Sequence, residues 1–108
     1  MKTFRLVIRL GGLLAAIFVV SALSQAAETP LTDNAVYRNN CAKCHGKTAG
    51  GRLFGGPSLV SDKVRATPED ELMSIITNGK GHMPKYGGKL SEAEIRGLVE
   101  GIRGGNTK

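Results

Sequence analysis

The chain has 108 residues, with 15 Lys and Arg, nine Asp and Glu, two Cys and no Trp, and this length allows one small domain but not two. Three of the cations, Lys2, Arg5 and Arg9, open the sequence. Without these three cations the formal net charge falls from +6 to +3. Most of the support that a high positive charge gives to nucleic-acid binding is lost with them.

The first predicted element is a secretory signal peptide over residues 1–27. Its cations are followed by an uncharged stretch from Leu10 to Leu23 and then by small residues that suit a cleavage site. We therefore expect residues 28–108 to form the mature domain and to lie in a bacterial periplasm. Only Arg9 interrupts the apolar run from Leu6 to Ala27, so a retained membrane anchor is the alternative.

Helical patterns occur three times in the mature domain and convincing strand alternation does not occur, so the predicted fold class is all-α. The first helix begins near Thr32 or Asp33 and ends at Gly46. The middle helix has Thr67 as its N-cap and Pro68 in its first turn. The residues that this helix is predicted to bury are Leu72, Ile75 and Ile76.

The last helix is the clearest, because Ser91 and Glu94 form a capping box and Gly104 ends it. Its apolar stripe consists of Ile95, Leu98, Val99 and Ile102. Two Gly-rich segments, over residues 46–67 and 79–89, have no dependable period. A long loop is uncommon in a small domain unless it is functional or encloses something.

A mature domain of this size needs more buried surface than its own side chains provide. Its aromatic residues are Tyr37, Phe54 and Tyr86 alone. Domains of ~70–80 residues usually need a disulfide, a metal or another staple, because apolar burial barely exceeds the lost chain entropy. We therefore expect a bound group to complete the core.

The segment Cys41-Ala42-Lys43-Cys44-His45 indicates what that group is. Residues i, i+3 and i+4 of a helix share one face, so Cys41, Cys44 and His45 can all face one flat macrocycle. The C-x-x-C-H spacing is the pattern of covalent c-type haem attachment. The two thiols become thioethers and the imidazole reaches the iron.

Three other interpretations of the same pentapeptide are weaker. A disulfide between Cys41 and Cys44 would close a tiny loop and constrain little of the chain. A thioredoxin-like pair needs a βαβ context, and no strand precedes these cysteines. A zinc site could enlist His82, but the adjacent Cys44 and His45 would have difficulty meeting one small tetrahedral ion.

With these motifs the mature chain resembles the class I c-type cytochromes over essentially its whole length. In that family a Gly-Pro-x-Leu element follows the haem motif, and Gly56-Pro57-Ser58-Leu59 stands at the matching place. The resemblance implies that the Pro57 carbonyl accepts a hydrogen bond from His45. The family's Asn-Gly-x-Gly-x-Met-Pro segment, here residues 78–84, implies that Met83 is the second axial ligand.

The residues around Met83 agree with this ligand role. The glycines at 79 and 81 allow the backbone to approach a flat ring, and Pro84 restricts Met83 towards an extended conformation. A thioether favours ferrous iron and raises the reduction potential relative to two imidazoles. His82 is the rival ligand, whereas Met73 lies in the middle helix and is predicted to be a core residue.

The chain departs from the family pattern on its last helix. Many members have an aromatic residue there that packs against the first helix, but this position holds Gly101. The partner on the first helix is present as Tyr37. Gly97 and Gly101 lie four residues apart on one face and could permit a closer approach of the two helices, although each Gly weakens a helix by ~1 kcal/mol relative to Ala.

We expect a small cytochrome c fold, with three to four helices and two Gly-rich loops around one covalent haem c. The predicted function is one-electron transfer in the periplasm without enzymatic activity, because His45 and Met83 close both axial positions. The alternatives are an electron-transfer subunit of a larger dehydrogenase or oxidase, a haem ligand-binding or peroxidase-like protein, and a zinc-binding module. No nucleic-acid partner is expected.

Basic residues cluster around the predicted haem edge and suggest a redox partner with an acidic docking surface. They are Lys43, Lys47, Arg52, Lys80, Lys85 and Lys89. Arg52 could instead pair with a haem propionate. Ordinary solvent exposure would equally explain the lysines.

Overall fold

Short helices joined by irregular segments build the domain, as the computed structural model shows for residues 29–104. The α-helices are α1 (Ala35–Asn40), α2 (Ala42–His45), α3 (Asp62–Arg65), α4 (Glu69–Asn78) and α5 (Glu92–Arg103), preceded by a 3-10 turn over Leu31–Asp33. Between residues 29 and 104 the only β-type pairing is an isolated bridge between Lys80 and Met83. The all-α prediction is therefore confirmed, although residues 29–104 form five helices instead of the expected three to four.

The predicted signal peptide lies outside the described residues. Within residues 29–104, no helix has both the length and the apolar character that crossing a bilayer requires.

The first helix begins later than predicted and is divided. Asn34 is its N-cap, because the Asn34 side chain accepts a hydrogen bond of 2.8 Å from the backbone N–H of Val36, and the residues before it form the 3-10 turn. Cys41, with φ of −110°, separates α1 from α2. Gly46 ends α2 as predicted, with a φ of 90° that favours glycine.

The N-cap predicted for the middle helix was wrong. Pro68 caps α4, and its carbonyl accepts the first helical hydrogen bond from Leu72. The Thr67 hydroxyl is engaged elsewhere, since it donates to the carbonyl of Lys63 over 3.0 Å. Lys63 belongs to α3, a single turn that the sequence pattern did not predict and that Ser61 caps through the N–H of Val64.

The last helix matches its prediction closely. Both bonds of the capping box between Ser91 and Glu94 are present, and Gly104 follows the final helical residue. The predicted apolar stripe is buried. Helix α5 packs against α4, α3, α1 and the 3-10 turn, so it is the central element of the framework.

The core is small and comes mainly from α5 and its neighbours. The buried apolar residues are Leu31, Tyr37, Ala49, Leu72, Ile76, Tyr86, Ile95, Leu98, Val99 and Ile102. Ile75, which was expected to be buried, is only half-buried. Met73 is half-buried and packs against this core, which agrees with its predicted role.

Gly101 provides the close approach that the sequence suggested. A Cβ atom at this position would lie 3.2 Å from Cα, Cβ and Cδ1 of Leu31, so the 3-10 turn packs directly on the backbone of α5. The nearest atom to a Cβ at Gly97 is Nδ2 of Asn34, at an ordinary 3.9 Å. Of the two α5 glycines, Gly101 is the one that packing requires.

This difference predicts opposite effects of two substitutions in α5. We expect Gly101→Val to lower the free energy of unfolding by about 1–3 kcal/mol, because the added methyl groups overlap Leu31. Gly97→Ala, the matched control, should raise it by about 1 kcal/mol, since Ala is the better helix former. Urea unfolding of the two variants measures both changes, and equal stabilities would contradict the packing at Gly101.

Candidate functional site

The pentapeptide of residues 41–45 spans the end of α1 and the single turn of α2. Its backbone is helical, with the N–H of His45 donating to the carbonyl of Cys41 over 2.9 Å. Of the two cysteines, Cys41 is half-buried and Cys44 is exposed. The helical backbone thus brings the two thiols and the imidazole onto one short turn, as the spacing predicted.

The imidazole of His45 is buried, with 8% of the residue exposed, and fixed by one hydrogen bond. Its Nδ1 lies 2.8 Å from the carbonyl oxygen of Pro57, the contact that the family resemblance implied. A carbonyl oxygen only accepts, so Nδ1 carries the hydrogen and donates it. The lone pair of the neutral ring is then on Nε2, the atom available to a metal.

A glycine lies directly against this ring. A Cβ atom at Gly56 would be 2.5 Å from Cε1 and 2.6 Å from Nδ1 of His45. Any side chain there would displace the imidazole, which explains a glycine immediately before Pro57. The Gly-Pro pair therefore supplies both a hydrogen-bond acceptor and the space that the ring occupies.

The segment after α2 is tied back to the carbonyls at the end of that helix. The N–H of Gly56 donates to the carbonyl of Cys44 over 2.7 Å, and the N–H of Gly51 donates to the carbonyl of His45 over 2.8 Å. The terminal carbonyls of α2 have no helical partner and are satisfied in this way. The position of the Pro57 carbonyl is thus fixed relative to the pentapeptide.

Two tyrosine hydroxyls bond to the carbonyls on either side of the pentapeptide. The hydroxyl of Tyr37 donates to the carbonyl of Gly46 over 2.6 Å, and that of Tyr86 donates to the carbonyl of Asn40 over 3.0 Å. Sequence reasoning assigned Tyr37 to helix packing and missed these bonds. One feature of the sequence could have indicated them. Two of the three aromatic residues of the domain are tyrosines, and a buried tyrosine hydroxyl usually has a hydrogen-bond partner.

Burial raises the pKa of three groups around the pentapeptide. It raises the pKa of Tyr37 to about 12, with a smaller contribution from Cys41. It also raises the pKa of Tyr86, with smaller contributions from the two cysteines. The pKa of the Cys41 thiol is raised mainly by burial and further by Cys44, while Lys43 opposes the change. Both tyrosines remain protonated donors at neutral pH.

Met83 closes a tight turn over residues 80–83, shortly after the end of α4. Its N–H donates to the carbonyl of Lys80 over 3.0 Å, and Gly79, with φ of 77°, leaves no room for a Cβ beside the Met83 carbonyl. Met83 is half-buried and packs against the core, whereas His82 is exposed. Tyr86, three residues after Met83, ties this loop to the carbonyl that precedes Cys41.

The donor groups of the pentapeptide fit a haem. They are two cysteine sulfurs and a buried imidazole with an oriented Nε2, which are the groups that covalent haem attachment uses. Within residues 29–104, no three His, Cys, Asp or Glu side chains stand close enough together to hold a metal ion.

The predicted basic residues are all exposed. They are Lys43, Lys47, Arg52, Lys80, Lys85 and Lys89. One guanidinium nitrogen of Arg52 donates to the carbonyl of Lys43 over 2.7 Å, and the ammonium of Lys89 lies 5.8 Å from the ring centre of Tyr86. The cations therefore form a solvated surface around the pentapeptide and the Met83 loop.

Several known proteins are similar to this chain. The profile of the family described as "Cytochrome C oxidase, cbb3-type, subunit III" matches residues 29–100. Cytochrome c6 of Leptolyngbya boryana is 36% identical over 67 residues, which cover 59% of this chain and 78% of that protein. The solved c-type cytochrome NirC is 28% identical with a TM-score of 0.59, covering 71% of this chain and 88% of that chain.

One relative is much longer than this chain. The dihydro-heme d1 dehydrogenase of Pseudomonas aeruginosa is 34% identical over 89 residues, which cover 80% of this chain but only 17% of the dehydrogenase.

The raised pKa of Tyr37 predicts a loss of stability at high pH. The unfolded tyrosine releases its proton near pH 10 and the folded one near pH 12, so its contribution is complete below pH 10 and is lost as the pH rises to 12. Below pH 10, we expect Tyr37→Phe to be less stable by about 1 kcal/mol, because the bond to Gly46 is absent.

The measurement is the free energy of unfolding of both proteins from pH 9 to pH 12. The difference between them should shrink over pH 10–12, because only the tyrosine loses its contribution there. Tyr86→Phe, whose hydroxyl also has a raised pKa, should change in the same direction. A difference that stays constant over this range would contradict the assigned burial of the hydroxyl.

Proposed function

This chain is a class I c-type cytochrome, an electron-transfer protein with one covalent haem c, and from that membership we propose that it is a free periplasmic one-electron carrier. We further propose that residues 41–45 and Met83 hold the haem. The bond between His45 Nδ1 and the Pro57 carbonyl is the observation that carries the assignment. When bound, the haem supplies an iron that gains and loses one electron.

Each residue of the site has a separate task in this proposal. The sulfurs of Cys41 and Cys44 form the two thioethers, and Nε2 of His45 binds the iron. The Pro57 carbonyl holds the hydrogen on Nδ1 and thereby fixes the orientation of the ring. It also makes the Nε2 lone pair a stronger ligand for the iron. The imidazole is shielded from water, with 8% of the residue exposed, and Gly56 and Pro57 lie against it.

We propose Met83 rather than His82 as the second axial ligand. Met83 is half-buried and packs against the core, while His82 points to a more exposed position on the same turn. A neutral thioether keeps the charge of the site low and favours the reduced iron. If His45 and Met83 both bound the iron, no coordination site would remain for peroxide or oxygen, which favours a carrier over a peroxidase-like enzyme.

The periplasmic location rests on the sequence of residues 1–27. Covalent haem attachment and an exporting signal are consistent with each other, because both cysteines are consumed by thioethers rather than left to oxidise.

A second candidate function is that of an electron-transfer subunit in a larger complex. Two findings favour it: the matching family profile is described as an oxidase subunit, and a similar segment makes up 17% of a dehydrogenase. The native mass separates the two functions, since a free carrier sediments as a single chain and a subunit sediments with its complex.

The function depends on covalent attachment, which predicts that the haem stays with the polypeptide after denaturation. Haem staining should follow the protein band in a denaturing gel and should resist extraction by acidified organic solvent. The double variant Cys41→Ser/Cys44→Ser should lose this staining. Haem that is freely extracted from the unchanged protein would overturn the attachment.

Replacing the distal ligand should change both spectrum and potential. We expect Met83→Ala to lower the reduction potential and to let carbon monoxide bind the reduced protein, because the thioether no longer occupies the sixth position. His82→Ala is the matched control, adjacent in sequence but exposed, and should behave as the unchanged protein. The reverse pattern in absorption spectra and potentiometry would assign the ligand to His82.

A further inference from the structure

Two large apolar side chains lie in solvent beside the haem-attachment segment. Leu53 is 87% exposed and Phe54 is 100% exposed. Within residues 29–104, they are the only large hydrophobic residues so exposed. They form the tip of a β-turn that begins at Arg52 and is closed by a hydrogen bond of 3.0 Å from the N–H of Gly55 to the carbonyl of Arg52.

The backbone of this tip is unfavourable for its residues. Phe54 has a φ of 61°, at the turn position where glycine or asparagine is normally found. A bulky residue in the left-handed region is a true outlier. Neither burial nor backbone preference explains a phenylalanine here, and such strain is concentrated at sites of binding.

The turn is anchored on the pentapeptide. The N–H of Arg52 donates to the carbonyl of Gly56 over 3.2 Å, and the N–H of Gly56 donates to the carbonyl of Cys44. A Cβ atom at Gly55 would lie only 2.5 Å from that same carbonyl. The apolar tip is thus held at a fixed position next to Cys44, which is itself exposed.

The charge around the tip is of one sign. Between Asp33 and Asp62 the chain has four cations and no acidic residue, and the last three of these four cations are all exposed. They are Lys43, Lys47 and Arg52. In contrast, most of the acidic residues of the described chain lie on α3, α4 and α5.

We propose that this turn is the docking element for a redox protein with an apolar recess surrounded by carboxylates. Leu53 and Phe54 enter the recess, and the three cations face its acidic rim. One electron then passes between the haem of this chain and the partner's redox centre, so one is oxidised as the other is reduced and no bond changes. The inference rests on the proposed carrier function.

The small size of the tip suits a transient complex. A single aromatic side chain buries ~150–250 Å², so the tip and its rim remain at the low end of protein interfaces, where short-lived electron-transfer complexes are found. Charge steers the encounter and raises the association rate, while the apolar tip sets the orientation. A carrier needs fast association and a defined orientation, and a small interface also lets it release each partner quickly.

A defined surface can replace the unknown partner in the test. The probe is a gold electrode coated with a mixture of carboxylate- and methyl-terminated alkanethiols, compared with a coating of carboxylates alone. The haem-loaded full chain is measured for adsorption affinity and for the rate of electron exchange at the electrode. We expect the unchanged protein to bind the mixed coating more tightly than the carboxylate coating.

Two tip variants should lose that preference. Phe54→Gly and Leu53→Ser should bind the mixed coating about tenfold less tightly, because binding no longer buries one large apolar side chain. Their affinity for the carboxylate coating should not change. Phe54→Gly should also unfold at a higher urea concentration than the unchanged protein, because glycine accepts the positive φ. If Phe54→Gly binds the mixed coating less tightly and yet resists urea better, the weaker binding cannot come from a loss of folding.

Charge variants complete the test. Lys47→Gln should weaken adsorption to both coatings and reduce its dependence on salt, whereas Lys63→Gln, an exposed cation on α3, should change neither. Ala93→Ser, on the exposed side of α5, is the control for loss of apolar surface.

Several results would overturn the docking element. Unchanged preference in the tip variants would do so directly. A shifted absorption spectrum or reduction potential in Phe54→Gly would show that Phe54 covers this chain's own haem. A concentration-dependent dimer that the tip variants abolish would show that the tip contacts a second copy of this chain.

Failure of the carrier function gives a different result. An unchanged protein without a reversible one-electron wave on any coating would refute the carrier itself. If instead ferricyanide oxidises the unchanged protein and all variants at the same rate, but the unchanged protein shows no preference for the mixed coating, the carrier function is supported and the docking element is refuted.

Discussion

The hydrogen bond between His45 and the Pro57 carbonyl is the constraint on which the rest of the site depends. It fixes which ring nitrogen carries the hydrogen, and so which one is available to the iron. Gly56 leaves the space for the ring. The backbone bond from Gly56 to Cys44 then makes the loop and the pentapeptide one structural unit.

A long-range hydrogen bond joins the Met83 side of the site to this unit. The hydroxyl of Tyr86 bonds to Asn40, 46 residues earlier in the chain, and Tyr37 holds the other end of the pentapeptide through Gly46. Because the domain buries few large side chains, these backbone contacts define where the two Gly-rich loops lie. We expect the haem to complete a core that is otherwise mostly the packing of α5 on its neighbours.

Whether the sequence pattern predicted a feature correctly depends on how that feature's hydrogen bonds and contacts are spaced along the chain. The capping box of α5 and its apolar stripe depend on residues within a few positions of each other, and both were predicted correctly. Thr67 was misassigned because its hydroxyl bonds back to Lys63 in a turn with no periodic signal. The start of α1 was placed too early because Asn34, unlike the Thr and Asp before it, is the residue whose side chain reaches the second helical N–H.

The sequence by itself determined the cofactor chemistry, the all-α class and the residues that we propose as ligands, because C-x-x-C-H and the Gly-Pro and Met-Pro segments are local patterns of covalent and coordination chemistry. Only the tertiary structure decided that two tyrosine hydroxyls bracket the pentapeptide, that Gly101 rather than Gly97 receives Leu31, and that Phe54 stands in solvent. These features arise where distant segments meet or where a turn closes, and no short-range periodicity encodes such distances.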